Sequence, residues 1–349
     1  MAYTTINKST AHFNTKLYTG NASAGRSITG VGFKPDLVWN KIRSASGNHH
    51  WYDAVRGTQK FIRSNDTTTE GTNGGTDGIT AFGTDGYTIG GNTGVNTNNA
   101  TFASWNWKAN GQGSSNTAGS INTAYTSANT TAGFSICKWT GSGSNATIGH
   151  GLGAVPKMYI VKNLSTSSTQ WRVYHASLGA TKFMCLDATQ AVGDAASVFN
   201  DTEPTSSVFS VGTDTGANGN GNSLICYLFA EKKGYSKFGS YVGNGNANGP
   251  FVYTGFKPAF IIRKRSDGAV DWRMDDNKRR SYNAIDFTLF PNKNNAETQS
   301  AGYAVDLLSN GFKVRGDSGN QNTNGGTYIY MAFAEQPFVT STGVPATAR

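Results

Sequence analysis

Short apolar runs rich in aromatic and β-branched residues alternate along the chain with clusters of Gly, Asn, Asp, Ser and Thr. Long stretches with a helical apolar period are scarce, so the pattern predicts strands. The strongest are Leu37-Val38-Trp39, Met158-Tyr159-Ile160-Val161, Leu224-Ile225-Cys226-Tyr227-Leu228-Phe229, Phe260-Ile261-Ile262 and Tyr328-Ile329-Tyr330-Met331-Ala332-Phe333. Asp85-Gly86 and Asn310-Gly311 supply the positive-φ residues that tight hairpins require.

These runs recur at long intervals, and internal repetition decides a fold before any local propensity does. Gly32-Phe33-Lys34-Pro35-Asp36-Leu37-Val38 returns as Gly255-Phe256-Lys257-Pro258-Ala259-Phe260-Ile261, with a weaker copy at Gly153-Ala154-Val155-Pro156-Lys157-Met158-Tyr159. The prolines Pro35, Pro156 and Pro258 lie 121 and then 102 residues apart. A Trp follows each, at Trp51, Trp171 and Trp272, and each copy closes on a strand ending Trp107-Lys108, Phe229-Ala230 or Phe333-Ala334. A Pro at a strand start is tolerated because its missing N–H falls outside the ladder. The hairpin at Asp85-Gly86 matches Asn310-Gly311, whereas the middle copy keeps Phe209-Ser210-Val211 without the turn, which predicts a differently shaped connection there.

The expected fold class is all-β: three tandem antiparallel β-sandwich domains, jelly-roll-like. Residues 1–109 form the first, 133–233 the second and 234–339 the third, with 340–349 a polar peripheral tail. The stretch 110–132 carries no charge and is read as an extended linker, so domain one is expected to be the more separable and domains two and three to touch.

Only 15% of the 349 residues are charged, against roughly 25% in an average domain, yet the apolar content is enough for a core. The net charge of +9 is spread evenly, with ten bases against six acids in 1–110, eight against six in 111–250 and twelve against nine in 251–349. A nucleic-acid partner, which would call for a dense basic stripe, is therefore not expected. No apolar run is long enough for a membrane span, and the opening residues Met1-Ala2-Tyr3-Thr4-Thr5, without a basic start and apolar run, lead us to expect no export signal. Cys137, Cys185 and Cys226 are odd in number and lack a C-x-x-C pair, so buried free thiols are expected.

Candidate chemistry is sparse. His49-His50 before Trp51 and Asp53 suggests a metal or acid–base pair, but neighbours in a strand face opposite ways and cannot readily serve one ion. No phosphate loop, nucleophile elbow or preferred carboxylate pair stands out, so neither an enzyme nor any cofactor is expected. Asn218-Gly219-Asn220-Gly221-Asn222 reads as a turn or exposed tip, and the recurring tryptophans read as core. The densest charged stretch sets Arg263, Lys264, Arg265, Arg273, Lys278, Arg279 and Arg280 among Asp267, Asp271, Asp275 and Asp276. Interleaved signs favour local ion pairs, across a subunit contact. The functional alternative is a contact face for anionic glycan or another partner, and calcium is disfavoured because the EF-hand's central Gly and terminal Glu are missing.

Leu17-Tyr18-Thr19-Gly20, Gly32 to Lys41, Trp51-Tyr52-Asp53-Ala54-Val55-Arg56-Gly57 and Trp105-Asn106-Trp107-Lys108 resemble a repeat of structural proteins from marine tailed bacteriophages. The ending Tyr330-Met331-Ala332-Phe333-Ala334-Glu335-Gln336-Pro337-Phe338 is similar to their C-terminal strand. The resemblance covers nearly the whole chain and is weakest in the middle copy. It implies a non-enzymatic virion component, assembled in the host cytoplasm, in a tail fibre or appendage that meets the host surface. The implied partners are other virion proteins, further copies of the chain in a homo-oligomer such as a trimer, and a host surface glycan. A capsid-surface decoration protein or head spike is the nearest alternative, and a polysaccharide depolymerase the alternative of another class.

Overall fold

The computed structural model describes residues 4–75 and 77–336, so the expected tail 340–349 and Pro337-Phe338 lie outside the described residues. The protein is all-β, and every ladder between its strands is antiparallel. One strand order appears three times. Phe13–Thr19, Thr101–Trp107, Leu37–Ile42 and His49–Asp53 lie side by side in one large sheet. Phe134–Thr140, Ser223–Ala230, Pro156–Asn163 and Arg172–His175 do so in a second, and Ser236–Val242, Thr327–Ala334, Pro258–Arg265 and Arg273–Asp276 in a third. Each large sheet has a smaller companion, such as Arg26–Thr29 with Gly86–Ile89 and Ile79–Gly83 in the first unit. In the middle unit a helical turn, Ala196–Phe199, stands where the others have a hairpin strand, as the missing turn residues predicted.

The central strands are buried on both faces, which is why they read as unbroken apolar runs rather than alternating ones. Alternate residues feed two cores. Val38, Tyr159 and Ile261 point into a separate cluster within each unit. Leu37, Met158 and Phe260, with Trp39, Ile160 and Ile262, point into one cluster that all three units share. At its centre the closing residues meet: Trp107 and Phe229 have ring centroids 6.2 Å apart, Phe229 and Phe333 6.0 Å, and Trp107 and Phe333 5.8 Å.

Polar links close the same cycle at matched positions. Tyr227 Oη donates to Asp53 at 2.7 Å, Trp105 Nε1 to Asp276 at 3.1 Å, and His175 Nε2 to the Tyr330 carbonyl at 3.1 Å. Backbone bonds repeat the pattern, from Glu70 to Leu164, Val192 to Ser266 and Glu297 to Arg43. The first unit is thus tied to both others, and the expectation that it would be separable is corrected. Residues 110–132 are likewise not an extended linker: Ser114–Asn116 and Thr123–Asn129 are strands that widen the second large sheet. The start of this stretch is held to the first unit, where Asp36 accepts from the backbone N–H groups of Ala109 and Gly111.

All seven tryptophans are buried, as expected of core residues. Their alignment needs correction, since Trp51 pairs with Trp39 while Val173 pairs with Ile160 and Met274 with Ile262. Trp171 and Trp272 therefore match His49. Both indoles donate across a unit boundary, Trp171 to the Arg63 carbonyl at 3.0 Å and Trp272 to the Cys185 carbonyl at 2.7 Å. His49 accepts instead, from Trp39 Nε1 at 2.8 Å.

Candidate functional site

Most of the basic cluster is interior. Arg263, Lys264, Arg273 and Arg279 are buried, so the structure does not present them as a contact face. A central strand buried on both sides puts Arg263 and Lys264 inside, and the buried charges are answered locally. Arg263 meets Asp275 at 2.6 Å, with Arg273 on the other carboxylate oxygen at 3.4 Å. Arg279 meets Asp276 at 2.6 Å and Glu297 at 2.9 Å, lies over Trp105, and donates to the Met274 carbonyl. Burial disfavours charge on Asp276, but the Arg279 guanidinium outweighs it and holds the carboxyl below its ordinary range. Lys264 Nζ donates to the carbonyls of Arg265 and Gly268, and burial pushes its pKa down to about 8. Arg265 pairs with Asp267 and Arg280 with Asp286 at the surface. The acids beside these bases are thus used as ion-pair partners, and no group of His, Cys, Asp and Glu among the described residues is arranged to hold a metal.

Lys278 is the exposed member of the seven, and it sits where three hollows meet along the boundary of the third and first units. The central hollow, about 260 Å³, has Phe13 and Ala259 in its lining, with Asn14, Asn277, Lys257 and Lys278 above. One neighbour, about 350 Å³, adds Ser281, Tyr282 and Asn283, and the other, about 330 Å³, adds Lys16. The result is an open groove with three lysines, one carboxylate (Glu335), amides and one exposed ring, Tyr282, over which Arg280 lies at 4.7 Å. Lys257 is neutralised by Glu335 at 2.8 Å. Thr15 Oγ1 and Asn277 Oδ1 face this region buried and without hydrogen-bond partners. An amide- and lysine-lined trough of this kind suits an acidic, hydroxylated polymer better than an apolar ligand. The chain's sequence pointed to Lys278 and Arg280; Lys16 and Lys257 were not legible as partners because the boundary that joins them spans more than two hundred residues of chain.

The paired histidines and the cysteines are buried. His49 and His50 are both buried and face different cores, the first beside Trp39 and the second beside Phe61. Burial keeps His49 neutral and pushes His50 down to about 4. Cys137, Cys185 and Cys226 are free and buried, and burial raises Cys137 and Cys185 to about 11, far from a reactive thiolate. No helix of the described residues is long and apolar enough to cross a membrane.

The sequence model of a family described as Domain of unknown function (DUF7483) matches residues 8–337. No curated protein matches the chain.

Proposed function

The chain belongs to the DUF7483 family, and we propose that it is a non-enzymatic structural component of a tailed-bacteriophage particle, built as three tandem jelly-roll-like β-sandwich domains. In each unit the first strand pairs with the last, and the second with a strand near the end, which is the nested pairing of a jelly roll. One observation carries the reading: the three units cover one another's inner sheet faces through a single aromatic core, with four of the five histidines and all three thiols buried. Such a body suits load-bearing and surface display rather than turnover. The cycle within one chain already buries the sheet face that a trimer of separate chains would otherwise cover.

We place the protein in a tail fibre or appendage, in contact with other virion proteins, with the Lys16–Lys257–Lys278 groove turned to the host surface. The resemblance to phage structural repeats supports this reading, and the exposed cationic groove favours it over an enzyme. Labelling the protein in images of intact particles and counting copies per particle tests it. Tens of copies on the tail are expected; hundreds on the capsid would replace the fibre by a decoration protein. Release of reducing ends from host capsule, abolished by one acidic substitution, would replace both by a depolymerase.

A further inference from the structure

The three units differ at one matched position in a way that opens a cavity. Arg172 in the second unit and Arg273 in the third occupy the ladder position that His50 holds in the first. In the second unit Arg172 reaches Asp214, the residue capping the turn Thr215–Asn218, with bonds of 3.0 and 2.8 Å. The first unit has Asn92 at that cap and the shorter His50 opposite, and no ion pair closes the gap. What remains is a cavity of about 330 Å³ whose polar lining includes Ser46, Asn48, His50, Arg63, Asn92 and Thr93. This lies at the small end of ligand pockets, which run from about 300 Å³ upward.

Two of its groups lack partners. His50 is 7% exposed and its Nδ1 has no hydrogen bond. Arg63 Nε is buried and equally without a partner, and its guanidinium meets Asp66 only at 3.6 Å. A buried acceptor and a buried cationic donor left without partners are costly, so they favour a ligand that supplies both counterparts. No carboxylate lines the cavity, and hydroxyls and amides make up most of the rest. We propose that this cavity binds an acidic pyranose, a uronic acid residue, whose carboxylate lies on Arg63 and whose hydroxyl donates to His50 Nδ1. Charge-assisted pairing to a guanidinium fixes the carboxylate end, and the neutral imidazole fixes the ring. The site rests on the host-contact reading, because it names the sugar class that such a contact would read.

Titrating the purified chain with glucuronate, galacturonate and glucose, and following the His50 imidazole resonance by NMR, tests it. A uronate is expected to shift that resonance saturably, with glucose about tenfold weaker or worse. His50→Arg combined with Asn92→Asp rebuilds the pair of the second unit and, followed by calorimetric titration since the His50 resonance is lost, is expected to abolish uronate binding while leaving the melting temperature near the parent's. Arg63→Gln, at a partly exposed side chain, is expected to weaken uronate about tenfold and spare glucose. No saturable response to either uronate, equal response to glucose, or uronate binding that survives both variants would overturn the proposal. Any of these outcomes leaves the particle images untouched, so failure here is distinct from failure of the virion reading.

Discussion

Asn96, Asn218 and Asn322 stand at one matched position, fully buried, and each does the same work. Asn218 Nδ2 donates to the carbonyls of Ser144 and Gly212 while Oδ1 accepts from the Ser142 amide. Asn96 and Asn322 repeat those contacts with Ser23, Gly90 and Asn21, and with Asn246, Gly316 and Asn244. The amide is the one side chain short enough to sit behind a single helical turn and still offer two donors and an acceptor. Asn218→Ala is expected to cost about 2–4 kcal/mol in urea unfolding, because several buried groups lose partners at about 1–3 kcal/mol each. The exposed Asn220→Ala is expected to fall within about 0.5 kcal/mol of the parent. Local sequence reads this Asn-Gly run as a surface tip, since Asn and Gly favour turns wherever they occur. The repeat spacing marks Asn96, Asn218 and Asn322 as one position, but Asn98, Asn220 and Asn324 recur in the same way, so recurrence alone does not tell the buried amide from the tip.

At the scale of elements, the units show two ways of filling one boundary. Asp53, Arg56 and Glu70 in the first and Asp276, Arg279 and Glu297 in the third form buried ionic sets. The second unit has His175, Leu178 and Val192 at the corresponding places. Removing one member of an ionic set leaves an unpaired buried charge, so Asp276→Ala is expected to destabilise by about 3–5 kcal/mol. Replacing the whole set by Asp276→His, Arg279→Leu and Glu297→Val is expected to cost less than that single change, measured in the same unfolding series. The strands of 110–132 make a further prediction: thermolysin under native conditions should not cut there first, as it would in a flexible linker. Pro35, Pro156 and Pro258 and the closing strands were legible because local chemistry marks them. The strands of 110–132 were not, because Ser, Thr, Asn and Gly look alike in a linker and in a polar sheet edge.

The whole molecule buries a set of histidines, lysines and tyrosines, and its stability should follow their titration. Burial lowers the pKa of all five histidines, with His50 and His175 at about 4. Below an unfolded value near 6.5 the unfolded chain binds more protons, so stability falls as pH drops from about 6.5 to 4. Asp36 and Asp187, raised by burial, oppose this over part of the range, two carboxyls against five imidazoles. Lys41, Lys162 and Lys264 occupy matched positions and are pushed down by burial to about 7, 8 and 8. Their effect has the same sign between about pH 7 and 10, where the unfolded lysines hold protons and the folded ones do not. Buried tyrosines such as Tyr87 and Tyr241, raised to about 12, reverse the trend above about pH 10. The melting temperature is therefore expected to rise from pH 4 to about pH 9 and to fall beyond pH 10, and a flat profile would mean that these groups are solvated. The three-fold repetition was legible in the sequence, but its closure was not, because a periodic chain of sheets reads the same whether the units hang apart or share a core. Differential scanning calorimetry of the intact chain measures that closure most directly. One transition is expected, with calorimetric and van't Hoff enthalpies equal; two or three separable transitions, the first unit melting by itself, would contradict a core common to all three.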